Sequence, residues 1–321
     1  AFAAETAKNE EEANDWLKGV KGAMRPPELL TRDVVAKAIM KEVKEGRGSP
    51  HGGAFLDIAN RQPSDYIKKK LPSMYHQFKE LGDLDITTEP MEVGPTTHYM
   101  MGGIRVDAET GASTLKGMYA AGEAAAGLHG ANRLGGNSLS DLLVFGKIAG
   151  SSAAIFALNN KDRAINRDEL NKAISETLES FDNDKKENPY HLHEELQDIM
   201  ENHAGIVRDE KDLTKGIEKL KELDKRVDNA KAFGNRAYNP SWHLCLDLKN
   251  MIITSLAVTE AAKERRESRG GHTRLDYPDY DPELGMLNII IRKSIDGINV
   301  VKSDKKIMPD DLDEFVHKEA I

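Results

Sequence analysis

The segment HGANRLGGNSLSDLLVFG, residues 129–146, carries the densest pattern of chemically useful residues in this sequence. Two glycines stand directly before Asn137 and Ser138, which open an apolar stretch. This order predicts a helix whose first N–H groups are accessible, and such a helix start stabilises negative charge. Arg133 lies just upstream with a planar guanidinium suited to a carboxylate. The pattern predicts an anion site; the alternative is an ordinary glycine turn beside a surface arginine.

Three further residues could serve such a site. His98 stands before two glycines in PTTHYMMGGI, residues 95–104, where a lone histidine is more often structural. Arg32 follows Thr31 at a predicted helix start, where its charge opposes the helix dipole. It is therefore either solvated or directed into a site that needs positive charge. Glu123, in AAGE after a predicted short strand, could accept sugar hydroxyls or cap a helix.

Several other kinds of site are excluded by what the sequence lacks. It contains no G-x-G-x-x-G run and no P-loop Lys-Ser/Thr signature, the standard means of gripping a pyrophosphate. His191 and His193 are two residues apart in a predicted helix and do not share a face, so no metal site is expected. Cys245 is the only cysteine, which excludes an intrachain disulfide framework and a multi-Cys zinc or iron–sulfur site within this chain.

Composition bounds the class of protein. The 321 residues allow two or three domains. The net charge of −9 argues against a protein that binds nucleic acid nonspecifically. No apolar run approaches the roughly 18 residues of a membrane span. The first residues show no basic and then apolar leader. We therefore expect a soluble intracellular protein.

The elements that must position these residues follow from periodicity and punctuation. Residues 31–45 carry apolar positions at a helical period, and residues 64–81 form a second helical stretch that Pro72 interrupts. Residues 1–88 are therefore expected to be mostly helical, and they contain no obvious strand-rich stretch.

Beyond residue 89 glycine rises and charge falls. THYMMGGIRVD, residues 97–107, is predicted to be a strand entering a turn. Residues 118–121 are predicted to be a short strand, and residues 137–154 a buried helix. Strand, glycine loop and helix in this order are typical of an α/β ligand-binding domain.

The rest of the chain is first helical and then mixed. Amphipathic helices are predicted over residues 215–233 and 241–266, which could pack as a small bundle. Two strands, residues 287–291 and 297–301, are predicted around a turn near the C-terminus.

At these places the sequence resembles the flavoprotein subunit of succinate dehydrogenase and fumarate reductase. PTTHYMMGGI, GMYAAGEAAAGLHGANRLGGNSLSDLLVFG and ESRGGHTRLDYPDYD carry the resemblance, in that order. TRDVVAKAIMKEVKEGRG resembles the segment that closes this family's capping domain. The resemblance covers about residues 25–321, and the glycine–asparagine–serine run and the RGGHTRLD turn are specific in combination.

The resemblance implies a role for each candidate residue. Arg32 matches the arginine that donates a proton to the substrate during fumarate reduction. His98 and Arg133 match the groups that hold the dicarboxylate over the flavin, and Glu123 matches an acidic residue that binds FAD. The helix start matches the one that faces the flavin's N1 and C2 carbonyl, where a helix N-terminus stabilises the charge left by hydride transfer. Its residues here are Asn137, Ser138 and Leu139.

The implied fold is α/β plus all-α. Residues 1–88 would form the end of the capping domain and residues 89–156 the second half of an FAD-binding α/β domain. Residues 157–267 would form a helical bundle, and residues 268–321 a small C-terminal segment containing β-structure.

The sequence departs from the family because the family's first half, with its dinucleotide-binding turn, has no counterpart here. We therefore expect the C-terminal portion of the subunit, which alone neither binds FAD tightly nor turns over. L-Aspartate oxidase, adenylylsulfate reductase and a non-catalytic assembly module stay as alternatives.

The family also implies partners and a place in metabolism. Electrons would pass from the flavin to an iron–sulfur subunit, often held by membrane anchor subunits. The complex would lie at the cytoplasmic face of the cell membrane, in electron transport within the tricarboxylic acid cycle or anaerobic respiration.

Overall fold

Backbone contacts divide the chain into two units, Ala1–Tyr99 and Met100–Ile321, and each is described by itself. The computed structural model describes residues 12, 15, 20–24, 32–160, 164–182, 184–295, 297–309 and 312.

Three helices are described in the first unit. Helix α1, Arg32–Lys44, has an acidic residue in its first turn and lysines in its last turn, which complement the helix dipole. The predicted helix over residues 31–45 is confirmed in its described part, while Thr31 lies outside the described residues.

The second predicted helical stretch is split as expected. Helices α2, Ser64–Lys70, and α3, Pro72–Gly82, are separated at Leu71. Pro72 starts α3 because its fixed φ suits the first helical position, where the missing N–H costs no hydrogen bond.

A small two-stranded sheet in the first unit was not predicted from the sequence. Strands β1, Ala54–Leu56, and β2, Met91–Val93, pair antiparallel with Ala54 opposite Val93. Three residues are too few for a period-2 pattern, and the partner strand lies far along the chain. Beside the sheet, Ile67, Ile86 and Met91 form the buried core of this unit.

The second unit begins with a small parallel sheet. Strands β3, Ile104–Arg105, and β4, Ala125–Ala126, pair side by side. The strand predicted within THYMMGGIRVD is present but short, and it lies after the two glycines. A Cβ on Gly103 would lie 2.6 Å from the Ala124 carbonyl oxygen, so the two backbones approach closely there. The predicted strand over residues 118–121 is wrong, because only Tyr119 forms an isolated bridge there.

Helix α4, Asn137–Leu158, confirms the predicted helix and extends it. Its contacts include Ala149 and Phe156, which pack against glycines in residues 111–117. The prediction that the helix is buried is wrong: of its residues only Asp141 and Ala149 are classed as buried, and Leu139 and Leu143 are 68% and 76% exposed. Its apolar residues occur all round rather than along one stripe, so the described part of the second unit covers only one side.

The length and hydropathy of α4 are also those of a helix that could cross a membrane. Within the described residues, it is the one helix long and apolar enough to cross a membrane, although sequence analysis predicts no such run. This is weak evidence for a span, because core helices pass the same test.

A bundle of three helices forms the main buried core. Helices α6, Pro189–Ala204, α7, Glu210–Val227, and α8, Pro240–Glu264, pack against one another, after the exposed helix α5, Arg167–Leu178. The predicted amphipathic helices are confirmed, although α7 begins and ends earlier than expected. The fully buried leucines and isoleucines of the bundle include Leu192, Leu213, Leu220, Leu248 and Ile252.

A hairpin closes the described chain. Helix α9, Pro282–Gly285, is followed by strands β5, Leu287–Ser294, and β6, Gly297–Asp304, paired antiparallel with Ser294 opposite Gly297. The predicted strands and their turn are confirmed. Helical and sheet-containing parts together give the predicted fold class.

Candidate functional site

The start of α4 is an open helix N-terminus. Gly136 occupies the capping position with φ 85°, and no side chain caps the helix. By contrast, Asn188, Asp209 and Asn239 each accept a backbone N–H at the start of a bundle helix. Among the described residues, apart from immediate chain neighbours, no atom lies within 4 Å of where a Cβ on Gly135 or Gly136 would be. The Asn137 N–H donates to the Leu134 carbonyl at 3.3 Å, so the N–H groups of Ser138 and Leu139 are the ones at this helix start that favour an anion.

Arg133 precedes this helix start in a loop, residues 129–136, that we call the glycine loop. The arginine is half-buried, and its Nη1 donates to the Leu134 carbonyl at 3.2 Å. The guanidinium therefore follows the backbone of its own loop. Any movement of that backbone changes where the positive charge lies relative to α4.

Glu123 lies directly before strand β4, in the same unit as the start of α4. It lies in a single 3-10 turn, Gly122–Ala124, and its Oε1 accepts the backbone N–H of Met100 at 2.9 Å. The carboxylate is exposed. A Cβ on Gly122 would lie 2.5 Å from Leu142 Cδ2, so the turn that carries Glu123 packs directly on α4. The structure brings Glu123 and the α4 start into one unit.

A buried pair that sequence analysis missed connects the glycine loop to α4. His129 Nε2 lies 3.2 Å from Asp141 Oδ2, and their side chains are 8% and 4% exposed. Asp141 is the one acidic residue of α4, and an acid inside an apolar helix could have signalled a partner. The pair fixes the loop at the end opposite to Gly136.

Two predicted site residues belong to the first unit. Arg32 is the first residue of α1, and its side chain lies outside the described residues. His98 is exposed, in the irregular segment after β2. Because Arg133 belongs to the other unit, the convergence of Arg32, His98 and Arg133 stays a prediction.

The RGGHTRLD segment is an ion-pair network that sequence analysis used only as a family mark. Glu267 is fully buried and accepts from Arg265 and Arg269. Burial alone raises the pKa of Glu267, but these hydrogen bonds outweigh it and lower the pKa to about 2. Arg274, also fully buried, pairs with Asp276 and lowers its pKa to about 2. A glutamate three residues after α8 in this charged segment was the available signal.

The described residues contain no candidate metal site. Within the described residues, no three His, Cys, Asp or Glu side chains cluster as a metal site. Cys245 is buried in the bundle, and burial raises the pKa of its thiol to about 11. Its sulfur is therefore protonated at neutral pH and does not act as a thiolate.

Two family models match the chain. The model for the FAD binding domain matches residues 10–139, and the model for the C-terminal part of the fumarate reductase flavoprotein matches residues 193–306. The first spans Glu123 and the start of α4, and the second spans most of the bundle and the terminal hairpin. FAD is therefore the cofactor of this type of chain.

Named relatives agree with these models. The chain is 40% identical over 266 residues to one of the subunits of the CoM/CoB fumarate reductase of Methanothermobacter marburgensis, covering 83% of this chain and 48% of the relative. An uncharacterized FAD-dependent oxidoreductase of Methanocaldococcus jannaschii is 43% identical over 265 residues, covering 83% and 47%. The chain thus spans about half the length of the curated relatives it matches.

A solved structure shows the same fold. Sdh1 of Mycobacterium smegmatis, solved in complex with UQ1, superposes with a TM-score of 0.84 at 48% identity, covering 90% of this chain and 49% of that chain. The similarity runs through both the FAD-binding and the C-terminal portions.

Proposed function

Because the chain belongs to the family of succinate dehydrogenase and fumarate reductase flavoprotein subunits, we propose that it contributes to interconversion of succinate and fumarate. The observation that carries the proposal is the uncapped start of α4 beside Arg133 and Glu123. FAD, when bound, would accept or deliver the hydride in this reaction.

The described residues fit this cofactor at two places. Within the described residues there is open space around the two glycines before α4. The N–H groups of Ser138 and Leu139, next to Asn137 at the start of α4, favour electron-rich oxygen or nitrogen there. Glu123 offers an exposed carboxylate that can accept hydroxyl hydrogens. We assign these four residues to FAD binding.

The substrate roles belong to three cationic or ionisable residues. Arg133 and His98 would each hold an end of a four-carbon dicarboxylate, and two such anchors fix its orientation. Arg32 would hold and deliver the proton that the substrate carbon receives. Because the pKa of free arginine is above about 12, this role requires a relay that restores the proton quickly.

The proton-donor role can be tested directly in the complete subunit with FAD bound. Arg32→Lys keeps the charge but changes the geometry of the donor, so we expect fumarate reduction to fall by roughly 100- to 10,000-fold. The FAD content should stay unchanged. Fumarate reduction near the parent rate would remove Arg32 from this role. Turnover of L-aspartate or adenylylsulfate in place of succinate would contradict the proposed substrate.

We also propose that this chain alone is an incomplete catalytic unit. The exposed apolar side of α4 and the half-length match to the relatives support this view. Titration of the chain with FAD, followed by absorbance, should give no tight complex. A stoichiometric complex of micromolar or better affinity would refute it.

Electron transfer to an iron–sulfur subunit, and through it to membrane anchor subunits, completes the proposal. The assembly would lie peripherally on the cytoplasmic face of the cell membrane. Affinity purification of the tagged chain from its own cells should recover an iron–sulfur protein in the membrane fraction. Recovery of a soluble chain without one would contradict this assignment.

A further inference from the structure

A tight turn after the bundle contacts the glycine loop through backbone atoms. The Gly271 N–H donates to the Ala131 carbonyl at 3.1 Å. Gly270 adopts φ 58°, and a Cβ there would lie 2.2 Å from the Ala131 carbonyl oxygen and 2.8 Å from its Cβ. Both the conformation and the space therefore require glycine at position 270. We call residues 269–272 the 269–272 turn.

The turn is closed by its own backbone and by a neutral histidine. Arg269 N–H donates to His272 O at 2.8 Å, and His272 N–H donates to Arg269 O at 3.0 Å. His272 Nε2 lies 3.0 Å from the Arg265 carbonyl, and Nδ1 lies 2.9 Å from Arg208 Nη1. Since Arg208 can only donate, Nδ1 accepts and Nε2 carries the hydrogen. Burial lowers the pKa of His272 to about 4, so this neutral form holds at neutral pH.

Glu267 anchors the same turn from below. Its carboxylate accepts from Arg265 Nη1 at 2.6 Å, from Arg269 Nε at 3.0 Å, and from the Asp281 N–H at 3.0 Å. Arg269 Nη2 also donates to the Asp281 carbonyl at 3.0 Å. A buried carboxylate that accepts hydrogen bonds from several charged donors resists displacement. Moving any one donor would leave a partly unpaired charge in the low-dielectric interior, which costs free energy.

We infer that the 269–272 turn positions Arg133 for substrate binding. The turn fixes the Ala131 carbonyl, and Arg133 follows two residues later on the same backbone. Because the Arg133 guanidinium bonds to the carbonyl of Leu134, it moves with that backbone. Gly270, Gly271 and Glu267 are thus positioning residues, which act on Arg133 through the Ala131 backbone. The inference rests on the proposed function, in which Arg133 holds a carboxylate.

The main test is Gly270→Ala in the flavin-loaded enzyme, with succinate as the probe. The added methyl must displace Ala131, and a misplacement of about 1 Å can cost up to about 100-fold in a binding site. We expect the Kd and KM for succinate to rise roughly 10- to 100-fold, with FAD content unchanged and a smaller change in kcat.

Gly234→Ala is the matched control. Gly234 also has a positive φ, 80°, but the nearest atom to its Cβ position, Asn239 Nδ2, is 4.0 Å away. This variant carries the same kind of backbone strain in a loop of the bundle, so its succinate affinity should equal that of the parent.

A double-mutant cycle separates positioning from general destabilisation. Arg133→Gln alone should weaken succinate binding roughly 10- to 100-fold, and Gly270→Ala should then add little in the Arg133→Gln background. A merely structural role predicts that the two losses multiply. If Gly270→Ala does not fold, Glu267→Gln, which keeps the shape but removes the charge, carries the same cycle.

The outcomes distinguish the two proposals. If Arg133→Gln weakens succinate binding but Gly270→Ala and Glu267→Gln do not, or if the losses multiply, the positioning inference is overturned and the proposed function stands. If Arg133→Gln binds succinate as tightly as the parent, the proposed role of Arg133 fails, and the inference fails with it.

Discussion

The helical bundle and α4 are both rich in leucine and isoleucine, yet different surroundings cover them. In the bundle, Leu220 and Leu248 are fully buried by neighbouring helices of the same chain. On α4, Leu139 and Leu143 are largely exposed within the described part of the chain. A helix that is apolar all round is normally buried. The exposed side of α4 therefore has the composition of a helix face that a further layer normally covers.

The two regions also differ at their helix starts. Each bundle helix is capped by an Asn or Asp side chain, whereas α4 begins at Gly136 without one. In the bundle, the apolar faces are therefore buried within the chain, and an Asn or Asp side chain accepts at least one of the first N–H groups of each helix. Within the described residues, α4 leaves its apolar side exposed and its start without a side-chain cap, and an uncapped helix start favours anion binding.

The comparison can be broken most sharply by removing one leucine from each region. Leu220→Ala should lower the free energy of unfolding by about 3 kcal/mol, because a buried leucine leaves a cavity. Urea unfolding of this chain measures the loss, and Leu143→Ala is the matched control. Equal losses for the two variants would contradict the contrast between the regions.

Acid should weaken the contact that joins the regions at the 269–272 turn. The pKa of His272 is about 4 when folded and about 6.5 when unfolded, so the unfolded chain binds the extra proton between these values. Stability is therefore lost as pH falls from about 6.5 towards 4.

From pH 6.5 to 5, this single group should cost roughly 2 kcal/mol of unfolding free energy. His272→Gln supplies a similar donor and acceptor without titrating, so the difference between parent and variant isolates the effect. The same pH dependence in both proteins would show that His272 is not the group involved.

The smallest effect is expected on the exposed side of α4. Leu143→Ser should change the unfolding free energy of this chain by less than about 0.5 kcal/mol, because surface substitutions away from packed contacts rarely do more. Chemical denaturation followed by circular dichroism is sufficient to measure it. A loss approaching that of Leu220→Ala would mean that the described surroundings of α4 are incomplete even within this chain.

Local signals predicted most elements because they act within a few residues. Pro72 separates α2 from α3, and the terminal hairpin follows from alternating residues around a turn. Strand pairing was harder: β1 and β4 have three and two residues, and their pairing depends on segments distant in sequence. In the predicted strand over residues 118–121, only Tyr119 pairs, in an isolated bridge to Ala112.

The candidate site divides in the same way. The helix start and its glycines follow from local sequence, and so does the choice of Arg133 and Glu123 as candidates. Contacts such as Gly271 to Ala131 join residues far apart in the chain, and no periodicity or spacing encodes them. Composition likewise could not reveal that α4 is largely exposed, because its residues are those of a buried helix.

We propose that Arg133 and His98 hold a dicarboxylate beside the start of α4. A crystal structure of the flavin-loaded enzyme with bound succinate tests it most directly. We predict nitrogens of both side chains within about 3 Å of carboxylate oxygens, with the ligand next to residues 135–139. Succinate bound elsewhere, or in contact with neither side chain, would contradict the account.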